Sequence, residues 1–302
     1  MDHTPWHQVN ISYPGHTARE REQQAVTHLS RVLHAAETAG LITCWWFIRK
    51  GAWRIRYLPT KSPDSGDRAR RLLTERATWT GDIYEPETRA FGGHDAMTTA
   101  HTLFHHDSRH LLTYLHQHPT TRREHSLILC TALMRAAGLD LNEQGDAWAQ
   151  VAEHRAAHLN QASTTDVPRW ERFTGEVRSL LLGAPRATGD WHTAFANAGA
   201  ALHRQRERGT LTRGLRAVIA LHVIFHWNRL GLPATTQATL AQAAQEAIFG
   251  LPDPNLPDSN SSATGPECPF AAGGSGQARC SGDCSTGPTT EQAQRGGHVR
   301  QQ

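Results

Sequence analysis

The chain has 302 residues, 38% hydrophobic and 20% charged, with a formal net charge of +3. That composition supports a sizeable core, and the charge is too small to argue for a nucleic-acid or membrane-surface partner. The longest nearly apolar run, residues 217–225, is interrupted by His222 and falls far short of the roughly 20 residues of a membrane span. The first residues carry neither a basic start nor an apolar stretch, so no secretion signal is read and a cytoplasmic protein with reduced thiols is expected.

In chain order, residues 6–12 place Val9 and Ile11 between polar neighbours, the period of a strand. From 19 to 39, Val26, Leu29, Val32, Leu33 and Ala36 recur at helical spacing until Gly40 stops the run. Two strands over 42–49 and 53–58 surround Lys50-Gly51-Ala52, then come a helix over 67–76 and a short strand over 81–84. After Gly92-Gly93 the pattern is helical: 96–115, 122–137, 144–159, 170–182, 191–207, 215–230 and 237–248, with Gly138, Gly183, Gly209 and Gly231 as stops. Strands first and helices afterwards predict an α+β fold, a small N-terminal antiparallel sheet packed on a mostly helical C-terminal part. Beyond Leu251 lie eight of the 25 glycines and six of the 15 prolines, with Phe270 as the single aromatic. Such a segment cannot bury enough apolar surface to offset its ordering entropy. The organisation read from this is a folded domain over 1–250 and a disordered tail over 251–302, whose Cys268, Cys280 and Cys284 lack the close pairs of a zinc module.

Four stretches could carry chemistry. In Trp53-Arg54-Ile55-Arg56-Tyr57, strand alternation sends Trp53, Ile55 and Tyr57 inward and Arg54 and Arg56 out together. Two guanidiniums roughly 7 Å apart suit a dicarboxylate, or a carboxylate plus a developing oxyanion; a solvated strand face is the competing reading. In residues 84–93 Pro86 forces Glu85 extended and the glycine pair reverses the chain before a helix, so Glu87 and its neighbours form either a site wall or an acidic helix cap. The histidine-laden helix 97–115 buries His101 and Ser108 on its apolar stripe, where a core histidine is the simplest reading, and Asp107 could orient His110. Over 215–230, His222, His226 and Arg229 share a stripe; the i, i+4 spacing also suits zinc, but no Glu follows His222, and a general acid or base fits better.

Together these stretches resemble a known family. Trp-Arg-Ile-Arg-Tyr at 53–57, Tyr-Glu-Pro-Glu followed by Phe-Gly-Gly at 84–93, Ala-Met-x-x-Ala-His-x-Leu-Phe-His-x-Asp-Ser at 96–108 and Phe-His-Trp-Asn-Arg-Leu-Gly at 225–231 occur in the order found there. The chain is similar to the thiopeptide-type bacteriocin biosynthesis family and to the C-terminal glutamate-elimination domain of class I lantibiotic dehydratases, here free-standing. The resemblance covers roughly residues 1–235. It implies an enzyme without cofactor or metal that removes glutamate from glutamylated Ser or Thr of a ribosomal precursor peptide, leaving dehydroamino acids. It assigns the glutamyl group to Arg54 and Arg56, matches the loop carboxylate to Glu87, and points to His226, then His222, as acid/base. Many family members carry Arg directly before the aromatic-Gly-Gly, where this chain has Ala90.

The partners implied are a leader-bearing precursor peptide and a glutamyl-tRNA-dependent glutamylating enzyme, with no direct nucleic-acid contact and no membrane; a homodimer is left open. Relatives on the same scaffold join two dehydroalanines into a pyridine by a formal [4+2] cycloaddition, which is the alternative activity. A third reading is a non-catalytic module whose N-terminal strands accept the leader as an added strand.

Overall fold

In the computed structural model, which describes residues 6–117, 119–159, 166–183 and 189–250, the N-terminal alternation becomes a sheet. Strands β1 (His7–Ser12), β2 (Ile42–Lys50), β3 (Ala52–Pro59) and β4 (Thr78–Asp82) lie in the order β2-β3-β1-β4, every neighbour antiparallel. The last strand expected at 81–84 sits three residues earlier. Pairing with β1 sets its register, the Asp82 carboxylate accepts the Ile83 N–H at 2.9 Å, and Tyr84 leaves the sheet to be buried. The tail expected over 251–302, with its three cysteines, lies outside the described residues.

Nine α-helices follow the expected punctuation among the described residues: α1 (Ala18–Thr38), α2 (Ser65–Leu73), α3 (His94–His116), α4 (Arg122–Ala136), α5 (Leu141–Arg155), α6 (Val167–Leu182), α7 (Asp190–Glu207), α8 (Leu215–Leu230) and α9 (Ala234–Phe249). Thus the α+β class holds, with the sheet at the N-terminal side. α5 begins earlier than its apolar period suggests, because Asp140 and Glu143 form a reciprocal cap on its first turn.

Strand alternation feeds two cores. Val9, Ile11, Trp45, Phe47, Trp53, Ile55 and Tyr57 pack on the α1 stripe of Val26, Leu29 and Leu33. The other face contributes Trp46 and Ile48, joined by Tyr84, Phe91 and, from α3, Met97, Ala100 and Phe104. A third core lies among the helices, where Trp148 and Trp227 stack at 5.8 Å and Gly199 lets α7 press on α4: a Cβ there would stand 2.2 Å from the Leu133 carbonyl oxygen.

Helix α3 connects the parts and closes one sheet edge. His105 Nδ1 lies 2.8 Å from the Trp45 carbonyl and Ser108 Oγ accepts the Phe47 N–H at 3.2 Å, so α3 side chains meet the outward backbone of β2 at Trp45 and Phe47. Glu22 of α1 adds a second tie, accepting from Arg49 of β2 at 2.6 Å and from Arg122 of α4 at 2.5 Å.

Candidate active site

The sheet register sets out the site. Trp46, Arg56, Gln8 and Asp82 form one row across the strands, and Ile48, Arg54, Asn10 and Thr80 form the next. Residues two apart on a strand share a face, so Arg54 and Arg56 stand side by side. The guanidinium of Arg56 packs into the corner of two rings that meet edge to face, 4.3 Å from the Trp46 centroid and 4.1 Å from that of Tyr84. Its Nε donates to Gln8 Oε1 at 2.7 Å, and Gln8 Nε2 donates to Asp82 Oδ2 at 2.8 Å. Arg56 is only 7% exposed, and its Nη1 is buried with no partner among the described residues. The guanidinium is therefore held by two rings and by one hydrogen-bonded edge, with a donor left over. Cation–π contact offsets part of the desolvation. Burial still pulls the Arg56 pKa below its ordinary value, while Tyr84 and Glu87 pull the other way.

Beside it, the Tyr84 hydroxyl meets His101 Nε2 at 2.8 Å. Burial, then the Arg56 charge, pushes His101 down to about 4, so the imidazole is neutral at neutral pH; burial pushes the Tyr84 phenol up. The Trp6 ring covers His101 at 4.7 Å. Helical periodicity alone assigns His101 to a core stripe. Its partner Tyr84 is 17 residues away, and no sequence pattern joins the two.

Glu87 stands exposed on the loop above, and its charge reaches both Arg56 and Tyr84. The glycine pair shapes this loop: Gly92 and Gly93 have φ of 90° and 110°, and a Cβ on Gly92 would lie 2.8 Å from Leu211. The segment before α8 braces it from below, with Arg213 Nη1 donating to the Ala90 carbonyl at 2.8 Å and the Thr212 N–H to the Gly92 carbonyl at 2.9 Å. A cation does approach position 90, but its hydrogen bond goes to backbone.

The helical histidines are elsewhere. His226 Nδ1 is 2.9 Å from Asp107 Oδ2, which also accepts from Arg229 Nε at 2.7 Å; Asp107 Oδ1 accepts from Trp191 Nε1 at 2.9 Å. All of Asp107, His226 and Arg229 is buried, and Arg229 stacks 4.3 Å over Phe104. Burial would raise the Asp107 carboxyl, but His226 and Arg229 outweigh it and hold the group at about 2. His222 is a core histidine bonded to the Val218 carbonyl at 2.9 Å and pushed by burial to about 4. Arg54, Arg56 and Glu87 thus gather at one face, whereas His222 and His226 do not touch them. The contact path from Arg56 to His226 runs through Trp46, Phe104, Arg229 and Asp107. The expected Asp107–His110 pair is also replaced: α8 supplies the imidazole, and His110 stacks on Trp191 instead.

A cleft of about 820 Å³ opens between α1, α3 and α7, lined by His34, His106, His110 and Arg109, and shares no residue with the arginine face. Among the described residues no three His, Cys, Asp or Glu side chains are placed to hold a metal ion together, and no helix is long and apolar enough to cross a membrane.

Comparison with known proteins gives the family and the fold. The family described as lantibiotic biosynthesis dehydratase C-term matches residues 6–248. Among solved structures, the chain is similar to the tRNA-dependent lantibiotic dehydratase MibB from Microbispora sp. 107891, with a TM-score of 0.55 and 18% identity, covering 82% of this chain and 28% of that one. It is also similar to the pyridine synthase TbtD from thiomuracin biosynthesis (TM-score 0.53, 13% identity) and to TsrL (0.54, 13%), each covering 80% of this chain and 97% of its own. No curated protein sequence matches. At these identities the structural likeness concerns the fold.

Proposed function

Because the chain belongs to the lantibiotic biosynthesis dehydratase C-terminal family, we propose that it eliminates glutamate from glutamylated Ser or Thr of a ribosomal precursor peptide. A base takes the α-proton, the Cα=Cβ bond forms as the Cβ–O bond breaks, and glutamate leaves with that oxygen. Enolate character builds on the adjacent carbonyl while the leaving carboxylate gains charge, so two fixed donors are needed. This reading gives that role to Arg54 and Arg56, which share one sheet face. The observation that carries the reading is the buried, unpartnered Nη1 of Arg56 on a guanidinium already clamped by Trp46, Tyr84 and Gln8. The neutral His101, bonded to Tyr84, is the proton acceptor on this face; His226 would act only if the core around Asp107 opened. Glu87 fits recognition of the free amino group of the glutamyl ester. In this reading a glutamyl-tRNA-dependent partner enzyme supplies the substrate.

The test is to mix the purified chain with glutamylated precursor peptide. Free glutamate and a product lighter than the unmodified peptide by one water per Ser or Thr are expected; glutamylated peptide that passes through unchanged overturns the proposal. A second reading, pyridine formation from two dehydroalanines, is supported by the 97% coverage of the TbtD chain against 28% of MibB, and by Ala90 where many eliminating relatives have Arg. A peptide carrying two dehydroalanines, incubated with the chain, would then lose its leader and gain a pyridine.

A further inference from the structure

The two edges of the sheet are treated differently. On β2, Trp45 and Phe47 turn their backbone groups outward to His105 and Ser108. Alternation then directs Arg54 and Arg56 toward β2, Val9 and Ile11 toward β3, and Gln8, Asn10 and Ser12 toward β4. The N–H and C=O of Trp79 and Gly81 therefore point away from the sheet. No strand or side chain among the described residues takes them, and all of β4 is exposed. The face over Gly81 is open as well: among the described residues a Cβ there would meet only the Trp79 ring, at 4.0 Å. Trp79 is 40% exposed and Ile83, just past the strand, 84%. Open edges of this kind are usually blunted by charge, proline or a covering element.

We infer that β4 is the docking edge for an extended segment of the peptide substrate, which adds as a fifth strand beside the arginine face. This rests on the reading of the chain as a peptide-modifying enzyme and adds where the peptide is held. The edge is continuous with the site: Thr80 and Asp82 share the face of Arg54 and Arg56, while Trp79 points to the opposite side with Ile11. An occupant should alternate accordingly, apolar residues against Trp79 and polar ones on the arginine side. Three strand spacings put the added strand about 14 Å from β3, a gap that roughly four extended residues bridge. The docked segment is thus separate from the modified Ser or Thr, as a leader or flanking region is.

The edge can be closed without disturbing the sheet, because the Gly81 N–H points outward and proline is tolerated at such a position. The experiment titrates an unmodified, leader-bearing precursor peptide of this family into the full chain, with Gly81→Pro and Gly81→Ala variants of unchanged melting temperature. Affinity should fall about tenfold or more in Gly81→Pro, which loses a donor and gains a blocking ring, and stay near wild type in Gly81→Ala. Amide exchange should show Trp79 and Gly81 unprotected in the free chain and protected once peptide is added. Equal binding by Gly81→Pro overturns the docking edge. So does protection in the free chain, which identifies residues 251–302 as occupant if it is independent of protein concentration, or a second copy if it rises with concentration. A wild-type chain that eliminates glutamate from a short core peptide but does not bind the precursor overturns docking alone, whereas failure on both overturns the functional reading as well.

Discussion

Arg56 and Arg229 are both buried guanidiniums stacked on aromatic rings, yet they do opposite things. Arg229 has its charge answered in place by Asp107, within a network that also takes in His226 and Trp191. Arg56 is held instead by a neutral amide and two rings, and no carboxylate among the described residues lies within ion-pair distance of it. The difference is the counterion. A buried cation whose partner is built in contributes to structure, and one held in position without such a partner is available to an incoming anion.

The comparison breaks most directly at Asp107. Asp107→Asn keeps the shape but leaves Arg229 charged and unanswered in the core, and should cost about 3–5 kcal/mol in a denaturant melt. A variant as stable as the wild type would mean that the network is not what holds α3 to α8. At the other arginine the expectation reverses. Arg54→Lys and Arg56→Lys should each leave the melting temperature nearly unchanged and lower kcat/KM on glutamylated peptide by about 100- to 1,000-fold, the cost of about 2.7–4 kcal/mol for a lost oxyanion donor. Collapse of Arg56→Lys with normal turnover in its folded fraction would place Arg56 with Arg229 as a structural group.

Acid sharpens the contrast further. His222 has a folded pKa of about 4 against an ordinary 6.5, so the unfolded chain binds the proton first. Its contribution is complete above about pH 6.5 and drains away as the pH falls toward 4, by up to about 3 kcal/mol. His101 on the arginine face shifts in the same direction. Asp107 adds a lower window, stabilising above its ordinary 3.8 and losing that contribution as the pH falls toward 2. Denaturant melts across the upper window should fall steadily for the wild type and less steeply for His222→Leu; parallel slopes would show that burial of His222 does not set the acid sensitivity.

Much of this was legible beforehand because it is local. Strand alternation predicts that Trp53, Ile55 and Tyr57 go in while Arg54 and Arg56 share a face, and the register agrees. Gly92 and Gly93 mark the reversal because their φ of 90° and 110° favour glycine, and at Gly92 a Cβ would also crowd Leu211. The β4 register was not legible: Thr78–Asp82 is weakly patterned, and only its pairing with β1 decides which of its residues are strand. Nor was His101, since an apolar helical stripe looks the same whether a half-buried imidazole meets a carbonyl or the hydroxyl of Tyr84.

Element order, the α+β class, the paired arginines and the glycine reversal are all local, because they follow from periods of two or 3.6 residues and from backbone angles that favour glycine. The tertiary structure alone decided which titratable groups meet. It joined Asp107 to His226 across 119 residues and Tyr84 to His101 across 17, left Arg56 Nη1 without a partner, and capped one edge of the sheet while leaving the other open. Each of these outcomes depends on how helices and strands pack against one another, and burial, counterions and open edges are properties of that packing.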